Sequence, residues 1–209
     1  MRLPPILLGL LCGTAIAAEK KPNIVVIMAD DIGLENLSCY GSKIYETPHL
    51  DALAASGIRF EHAHSQPICT PSRVQNMTGN HNNRNYVRFG ILDPEEVTFA
   101  NLLRDAGYAT AIGGKWQLLG DYGGVRNFGF DRHCLWQLNR RPSRYPNPGL
   151  EIDGERKDFK NGEFGPDIVN AYLCDFIKAR KDGDPPLLVY YPMMLPHRPF
   201  VPTTDHPDR

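Results

Sequence analysis

The stretch "NIVVIMADD", residues 23–31, decides the fold of this chain. Its residues 24–28 are all large and apolar, without the alternation of apolar and polar side chains that marks a half-exposed strand. An uninterrupted apolar run of this length is typical of a parallel strand that is buried on both faces. Asp30 and Asp31 follow directly, so the stretch predicts a buried parallel strand with two carboxylates at its carboxyl end.

The rest of the chain alternates between predicted helices and strands. Helices are predicted from start, periodicity and stop signals at residues 47–57, 98–107 and 166–181. Strands are predicted at residues 58–64, 108–112 and 186–193. Residues 127–166 are rich in Gly, Pro, Asn and Arg and are expected to form an extended loop. This alternation predicts an open, mostly parallel α/β sheet between helices, with its site beyond the carboxyl ends of the strands.

The composition is that of one ordinary globular domain. Of the 209 residues, 42% are hydrophobic and 22% are charged, which is typical neither of a disordered chain nor of a membrane protein. The formal net charge of −1 gives no long-range field that would attract nucleic acid or an anionic membrane surface. We therefore expect no nucleic-acid partner and only local recognition of anions.

The first 17 residues have the pattern of a cleavable signal peptide. Arg2 precedes an apolar run at residues 6–11, and the small residues Ala15 and Ala17 precede the charged Glu19. The apolar run is too short to span a membrane. We expect cleavage after Ala17 and a secreted or periplasmic protein without a membrane span.

Four cysteines remain after this cleavage, and they are Cys39, Cys69, Cys134 and Cys174. They could form two disulfides in an oxidising compartment. Their irregular spacing and the absence of a CxxC pair are typical neither of a disulfide framework nor of a zinc site. If one of them has a chemical role, one of the other three stays unpaired.

Two short segments could carry chemistry. Asp30 and Asp31 could bind a hard cation such as Ca²⁺ or Mg²⁺, or could form an ordinary polar turn, and the residues alone favour neither interpretation. In "PICTPSR", residues 67–73, Cys69 stands just before a predicted helix whose free N–H groups favour an anion or a thiolate, and Arg73 lies on the first turn. The alternative is a buried structural cysteine beside a surface arginine, and physical chemistry alone favours that alternative.

Lys115, His197 and a pair of histidines are weaker candidates. Lys115 follows a predicted strand in "GGKWQ", where two glycines would let the backbone approach a ligand, although most lysines are simply solvated. His197 lies on a stiff loop between two prolines, and a lone histidine is more often structural. His62 and His64 share one face of the strand predicted at residues 58–64, but two imidazoles without a third ligand are a weak metal signal.

These segments together resemble the sulfatase family. "CTPSR" is similar to the signature CxPSR, whose cysteine is converted to formylglycine, an aldehyde that hydrates to a geminal diol. "NIVVIMADDIG" resembles the first strand and metal-binding pair of the family, "TPHLDALAASGIRFEHAH" its first helix and second strand, "GYATAIGGKW" its second signature and "PHRPF" its later histidine loop. The resemblance covers most of residues 22–203. It implies an alkaline phosphatase-like α/β fold, with an N-terminal catalytic domain at residues 22–209 that is truncated at its C-terminus.

The resemblance also implies roles for individual residues. A divalent cation, usually calcium in this family, would be bound by Asp30, Asp31 and Cys69 as formylglycine. Lys115 and His197 would contact the sulfate, and Arg73 would support the formylglycine. One hydroxyl of the diol would attack sulfur and expel the alcohol, and the second would release sulfate. The implied activity is hydrolysis of a small-molecule or glycan sulfate ester, after maturation by a formylglycine-generating enzyme.

The chain departs from the family pattern in three places. Gln117 stands where the family usually has a histidine that assists sulfate release, and glutamine cannot take up a proton. His64 and His81 are the candidates to replace that histidine. Asn76 stands where the first signature prefers an apolar residue. The remaining metal ligands of the family are expected beyond Arg209.

Two other functions stay open for this sequence. A phosphonate or phosphate ester hydrolase of the same superfamily would use the same apparatus. A catalytically silent, secreted binding protein would keep the fold without turnover, and Gln117 is the residue that supports it. Assays with matched aryl sulfate and aryl phosphate esters distinguish a sulfatase from a phosphate or phosphonate ester hydrolase. Cation-dependent turnover excludes the silent binding protein.

Overall fold

One mixed sheet organises the chain. The computed structural model describes residues 20–118 and 122–207, so the predicted signal peptide at residues 1–17 lies outside the described residues. The strands are β1 (Ile24–Asp30), β2 (Ala109–Lys115), β3 (Arg132–Trp136), β4 (Gly149–Ile152), β5 (Glu155–Asp158) and β6 (Leu187–Pro196). The helices are α1 (Pro48–Ser56), α2 (Cys69–Thr78), α3 (Asn82–Asn85), α4 (Phe99–Asp105), α5 (Tyr122–Asn127) and α6 (Gly165–Lys178).

Four of the strands are parallel neighbours. The sheet order is β1-β6-β2-β3-β4-β5, and the pairs β1–β6, β6–β2 and β2–β3 are parallel. β4 and β5 extend the sheet as antiparallel strands. The prediction of a mostly parallel α/β sheet is confirmed. Because β1, β6 and β2 run in the same direction side by side, their carboxyl ends meet at one edge of the sheet.

Two predicted helix starts are found in the structure, and that of α4 is capped by side chains. α1 begins at Pro48, directly after Thr47, as the sequence predicts. At the start of α4, the Thr98 side chain accepts hydrogen bonds from the backbone N–H groups of Ala100 and Asn101, and the Asn101 side chain accepts one from the Thr98 N–H. This capping box satisfies donors that the first turn of a helix otherwise leaves without partners.

Helices pack on both faces of the sheet, as the alternation predicts. Val74 and Met77 of α2 belong to the core on one face. Val169 and Leu173 of α6 belong to the core on the other face. Full burial of one such side chain stabilises the fold by about 1.5–3 kcal/mol relative to exposure. None of the described helices combines the length and the apolarity that a membrane span requires.

The prediction that β1 is buried on both faces is wrong. Val26 and Met28 pack against the core, but Val25 is 51% exposed and Ile27 is 62% exposed. β1 is the first strand in the sheet order and pairs with β6 alone, so it is an edge strand. Within the described residues, nothing covers the face of β1 that carries these two side chains. An apolar run predicts a strand well, but it does not show which of its faces are covered.

Two further predictions are corrected. Residues 58–64 do not form a strand, and Ile58 and Phe60 are exposed, since no neighbouring strand pairs with this segment. Residues 127–166 are not one extended loop, because they contain β3, β4 and β5. Asp153 and Gly154, both with positive φ, form the two-residue turn between β4 and β5. An Asp-Gly pair is a strong hairpin signal, which the bias toward loop-forming residues obscures.

Candidate active site

Three sequence-predicted residues meet at the carboxyl edge of the sheet. Asp30 is the last residue of β1, Lys115 is the last residue of β2, and His197 follows β6, which lies between these two strands. The sequence predicts that Lys115 follows the strand, whereas β2 includes Lys115 as its last residue. The sheet order therefore brings together side chains that are about 80 residues apart in the chain.

Glycine at position 114 is required by the neighbouring strand. Gly114 has a φ of 121°, and a Cβ atom there would lie 2.0 Å from the carbonyl oxygen of Pro192 in β6. A Cβ on Gly113 would lie 2.9 Å from side-chain atoms of Val169 and Leu173 in α6. The expectation that these glycines let the backbone approach a ligand is therefore corrected. They allow β2 to pack tightly against β6 and α6, which fixes the backbone that presents Lys115.

Lys115 and Asp30 form a buried ion pair. The Lys115 Nζ donates to Asp30 Oδ2 at 2.7 Å, and the two side chains are 1% and 3% exposed. Attraction between opposite charges is stronger at such a site than at the surface, because little water screens it. Lys115 is therefore not the solvated lysine that is the usual case.

Cys69 begins α2 and touches Gln117. Helix α2 starts at Cys69 with Ile68 as its N-cap residue, so Cys69 belongs to the helix instead of preceding it. The Cys69 Sγ lies 3.1 Å from Gln117 Oε1 and donates to it. Gln117 has a φ of 53°, in the left-handed region. The four cysteines Cys39, Cys69, Cys134 and Cys174 are all free thiols.

Arg73 lies behind Cys69 and is buried. It is 2% exposed, and its Nη1 donates to the backbone carbonyl of Lys115. Its Nε is buried and has no hydrogen-bond partner. The favoured alternative from the sequence, a surface arginine, is therefore wrong. Residues four apart in a helix share a face, so Arg73 and Cys69 face the same side of α2.

Asn76 does not disturb this helix. The side chain lies on the exposed side of α2, where a polar residue is compatible with the packing of Val74 and Met77. The departure from the family signature at this position therefore leaves the core contacts of α2 intact.

His197 contacts the second carboxylate of the pair. Its Nε2 lies 3.4 Å from Asp31 Oδ2, and its Nδ1 lies 2.7 Å from the backbone carbonyl oxygen of Arg198. The His197 side chain is 21% exposed and that of Asp31 is 54% exposed, so this contact opens to solvent. Asp31 has a φ of 62°, in the left-handed region.

Tyr145 holds the loop that carries His197, and sequence reasoning missed it. The Tyr145 hydroxyl donates to the carbonyl oxygen of Met194 at 2.7 Å and lies within hydrogen-bond distance of the His197 carbonyl. Burial raises the pKa of this hydroxyl above its usual value, so it stays protonated and able to donate. Its partners lie about 50 residues away in the chain, and no local pattern in the sequence indicates such a contact.

A cavity of about 180 Å³ joins the carboxylates to the cysteine. Asp30, Asp31, Cys69 and Ser72 are among its lining residues. His62 and His64, the weak metal candidates, are both exposed and do not line it. His81 is also exposed and lies outside the cavity lining.

The donor set suits a hard cation but is small. Two carboxylates on one cavity wall provide the oxygen ligands that Ca²⁺ and Mg²⁺ prefer. Within residues 20–118 and 122–207, no group of three or more His, Cys, Asp or Glu side chains has the arrangement needed to hold a metal ion. Asp30 and Asp31 therefore fit as part of a cation site that needs further oxygen ligands.

Comparison with known proteins identifies the family. The model of the family described as Sulfatase matches residues 22–209. The chain belongs to the sulfatase family. It is 40% identical to mouse steryl-sulfatase over 79% of this chain and 30% of that protein. It is 31% identical to an N-acetylglucosamine-6-O-sulfatase of Bacteroides thetaiotaomicron over 90% of this chain and 33% of that protein.

Solved structures of sulfatase type share the fold. One is a complex of a protein with its substrate D-glucosamine-2-N,6-O-disulfate, which superposes with a TM-score of 0.76 at 30% identity. The match covers 88% of this chain and 36% of that one. The prediction of an alkaline phosphatase-like sulfatase fold is confirmed. This sulfatase chain spans about a third of the length of the relatives it matches.

Proposed function

We propose that the full-length protein is a secreted or periplasmic sulfatase that hydrolyses sulfate esters. The observation that carries the proposal is the cavity that Cys69 shares with Asp30 and Asp31, next to Lys115 and His197. Membership of the sulfatase family supports the reaction class. A solved relative that binds a doubly sulfated glucosamine supports a sulfated sugar as the substrate.

The proposed cofactors are a divalent cation, with Ca²⁺ as the expected ion, and formylglycine made from Cys69 by a maturation enzyme. Asp30 and Asp31 would hold the cation through carboxylate oxygens, and a formylglycine at position 69 would face the same cavity. When present, the cation supplies positive charge to the sulfate oxygens and the hydrated formylglycine supplies the attacking hydroxyl. Ca²⁺ takes about six to eight oxygen ligands, so further ligands are needed.

Lys115 and His197 would bind the sulfate group of the substrate. The Lys115 ammonium has three hydrogens to donate, and Asp30 accepts one of them. Because the ammonium is almost completely buried, its attraction for a sulfate oxygen is only weakly screened. His197 Nε2 lies beside Asp31, where the contact opens to solvent, and would contact a second sulfate oxygen.

Arg73 and the start of α2 would hold the group at position 69. The Arg73 Nε is a buried donor without a partner, on the face of the helix that carries Cys69. The first backbone N–H groups of a helix and its dipole favour negative charge at that end. Both the Arg73 Nε and the start of α2 would stabilise negatively charged oxygen atoms at position 69.

The test is turnover of matched aryl sulfate and aryl phosphate esters by the full-length protein, co-expressed with a formylglycine-generating enzyme. We expect turnover of the sulfate ester, loss of turnover with EDTA and recovery with Ca²⁺. Peptide mass spectrometry is expected to show an aldehyde at position 69. Faster turnover of the phosphate ester would favour a phosphate or phosphonate ester hydrolase. Cation-dependent binding without turnover would favour a silent binding protein.

Gln117→His is expected to raise steady-state turnover. The Gln117 Oε1 lies 3.1 Å from the Cys69 Sγ, where a base would stand, but an amide cannot take up a proton. General-base catalysis typically contributes about 10²- to 10⁴-fold. The parent protein should therefore show a burst of alcohol release followed by slow turnover, and the variant should turn over faster with the same burst rate. Stopped-flow measurement of alcohol release checks both.

His64→Ala and His81→Ala are the matched controls for this variant. Both histidines are exposed and neither lines the cavity of Cys69, so neither change should alter the burst or the steady state. A parent without a burst, together with no gain in Gln117→His, would contradict the role assigned to Gln117. A large loss in either control would instead assign the base to that histidine.

A further inference from the structure

A second cavity opens beside His197. It has a volume of about 520 Å³, and its lining includes Arg141, Arg144, Arg198, Trp136, Tyr145 and His197. We call it the arginine pocket. His197 also contacts Asp31 at the cavity of Cys69. A molecule that reaches His197 from the arginine pocket is therefore at the proposed sulfate site.

The three arginines of the arginine pocket form no ion pair with any Asp or Glu side chain that the structure describes. In the part of the chain that the structure describes, Asp and Glu side chains form ion pairs with other arginines but not with these three. Neighbouring Arg140 shows the contrast, since it contacts Glu151 and Asp158. Three guanidinium groups that pair with none of the described carboxylates therefore border one cavity.

Arg144 is the most informative of the three. It is 7% exposed, and its guanidinium carbon lies 4.1 Å from the centroid of the Trp136 ring. Its Nη1 is buried and has no hydrogen-bond partner. Burying a charged donor without a partner costs free energy, so folded proteins rarely contain such donors. An anionic ligand in the pocket would offset that cost by neutralising the guanidinium charge.

The wall of the arginine pocket is held in place before any ligand binds. The Trp136 Nε1 donates to the carbonyl oxygen of Pro142 at 3.0 Å, and the Tyr145 hydroxyl donates to that of Met194 at 2.7 Å. The Trp136 ring lies against the Arg144 guanidinium and limits its movement. A site held in this way loses little conformational entropy on binding.

We propose that the arginine pocket binds a second anionic group of the substrate. The proposal rests on the sulfatase function proposed above and narrows its substrate class to sugars with a sulfate or carboxylate besides the sulfate that is cleaved. Planar guanidinium groups match both anions with paired hydrogen bonds. The aromatic faces of Trp136 and Tyr145 would contact the sugar ring, as in pockets that combine apolar walls with a few charged groups.

The test is calorimetry with the full-length protein carrying Cys69→Ala, so that no ligand is consumed. The probes are N-acetylglucosamine 6-O-sulfate, glucosamine 2-N,6-O-disulfate and a 6-O-sulfated N-acetylglucosamine joined to a uronic acid. Arg144→Gln is expected to weaken binding of a dianionic probe about 10- to 100-fold and to leave the monosulfate unchanged, because a hydrogen bond to a charged group is lost. The disulfate and the uronic acid probe distinguish sulfate from carboxylate as the second anion.

Arg141→Gln tests the same pocket without risk to folding, because Arg141 is exposed. This change should weaken the binding of the same dianionic probes. Arg126→Gln removes an exposed arginine outside the pocket and should change nothing. Equal losses for mono- and dianionic probes, or no loss in either pocket variant, overturn the proposal. Normal aryl sulfate turnover with no preference for dianionic probes refutes the role proposed for the arginine pocket and leaves the sulfatase function standing. A preference for dianionic probes without turnover of either the aryl sulfate or the sulfated sugars by the protein that keeps Cys69 refutes the enzyme function and keeps the pocket.

Discussion

Replacing Cys69 with alanine is expected to lower the turnover of sulfate esters by roughly 10⁴- to 10⁶-fold in the full-length protein, as expected when the nucleophile of a covalent mechanism is removed. The cavity around position 69 would keep its carboxylates and its neighbouring cations. The cationic groups would still attract a sulfate, but none of the remaining groups could form the covalent bond that replaces the ester. The expected result is therefore a loss of kcat with substrate binding retained, measured by aryl sulfate hydrolysis and by calorimetry.

Cys39→Ala is the matched control for this variant. Cys39 is also a free thiol, but it lies in the short turn Ser38–Tyr40 and does not line the cavity of Cys69. Turnover should stay within about 2-fold of the parent, since surface changes away from a site are usually small in effect. Complete alkylation of Cys69 as a thiol in a fully active preparation would contradict the assignment.

The fold could be predicted where local signals agree with the tertiary structure. The apolar run of β1, the capping of α4 by Thr98 and the periodicity of α6 each indicate an element through short-range chemistry. The burial of β1 could not be predicted, because exposure of Val25 and Ile27 depends on what packs on the sheet edge. The strands β3 to β5 are short and lie among loop-forming residues, so tertiary pairing outweighs composition there.

In the candidate site, too, local sequence signals indicate some residues, whereas the contacts between them depend on the tertiary structure. Asp30, Lys115 and His197 could be chosen as candidates from the sequence because they lie at or just after the predicted carboxyl ends of strands, where sites of such sheets collect. Their pairing could not be found, since Lys115 and Asp30 meet only through the order of β1, β6 and β2. Arg144 was missed because its segment, "NRRPSRYP" at residues 139–146, looks like an ordinary polar loop. Its burial and its stack on Trp136 are properties of the folded chain alone.

Breaking the Lys115–Asp30 pair is expected to have the largest effect on stability. Lys115→Met or Asp30→Asn alone should lower the free energy of unfolding by about 3–5 kcal/mol, because each leaves a buried charge without its counter-charge. Urea unfolding of the full-length protein, followed by circular dichroism, measures this. Glu61→Gln is the control, since the side chains of Arg59 and Glu61 form an ion pair and are 44% and 59% exposed. That loss should stay below about 1 kcal/mol.

The double variant separates the structural role of the pair from its role in the site. Removing both charges leaves no unpaired ion in the interior, so Lys115→Met combined with Asp30→Asn should lose less stability than the sum of the single variants, by about 2 kcal/mol or more. Turnover should nevertheless stay lost, because the site then lacks both the ammonium at the end of β2 and the Asp30 carboxylate proposed to hold the cation. Removal of one sulfate donor alone typically costs about 10²- to 10³-fold in kcat. Strictly additive stability losses would show that the two charges do not depend on each other. Recovery of turnover together with stability would contradict both assignments, of Lys115 to the sulfate and of Asp30 to the cation.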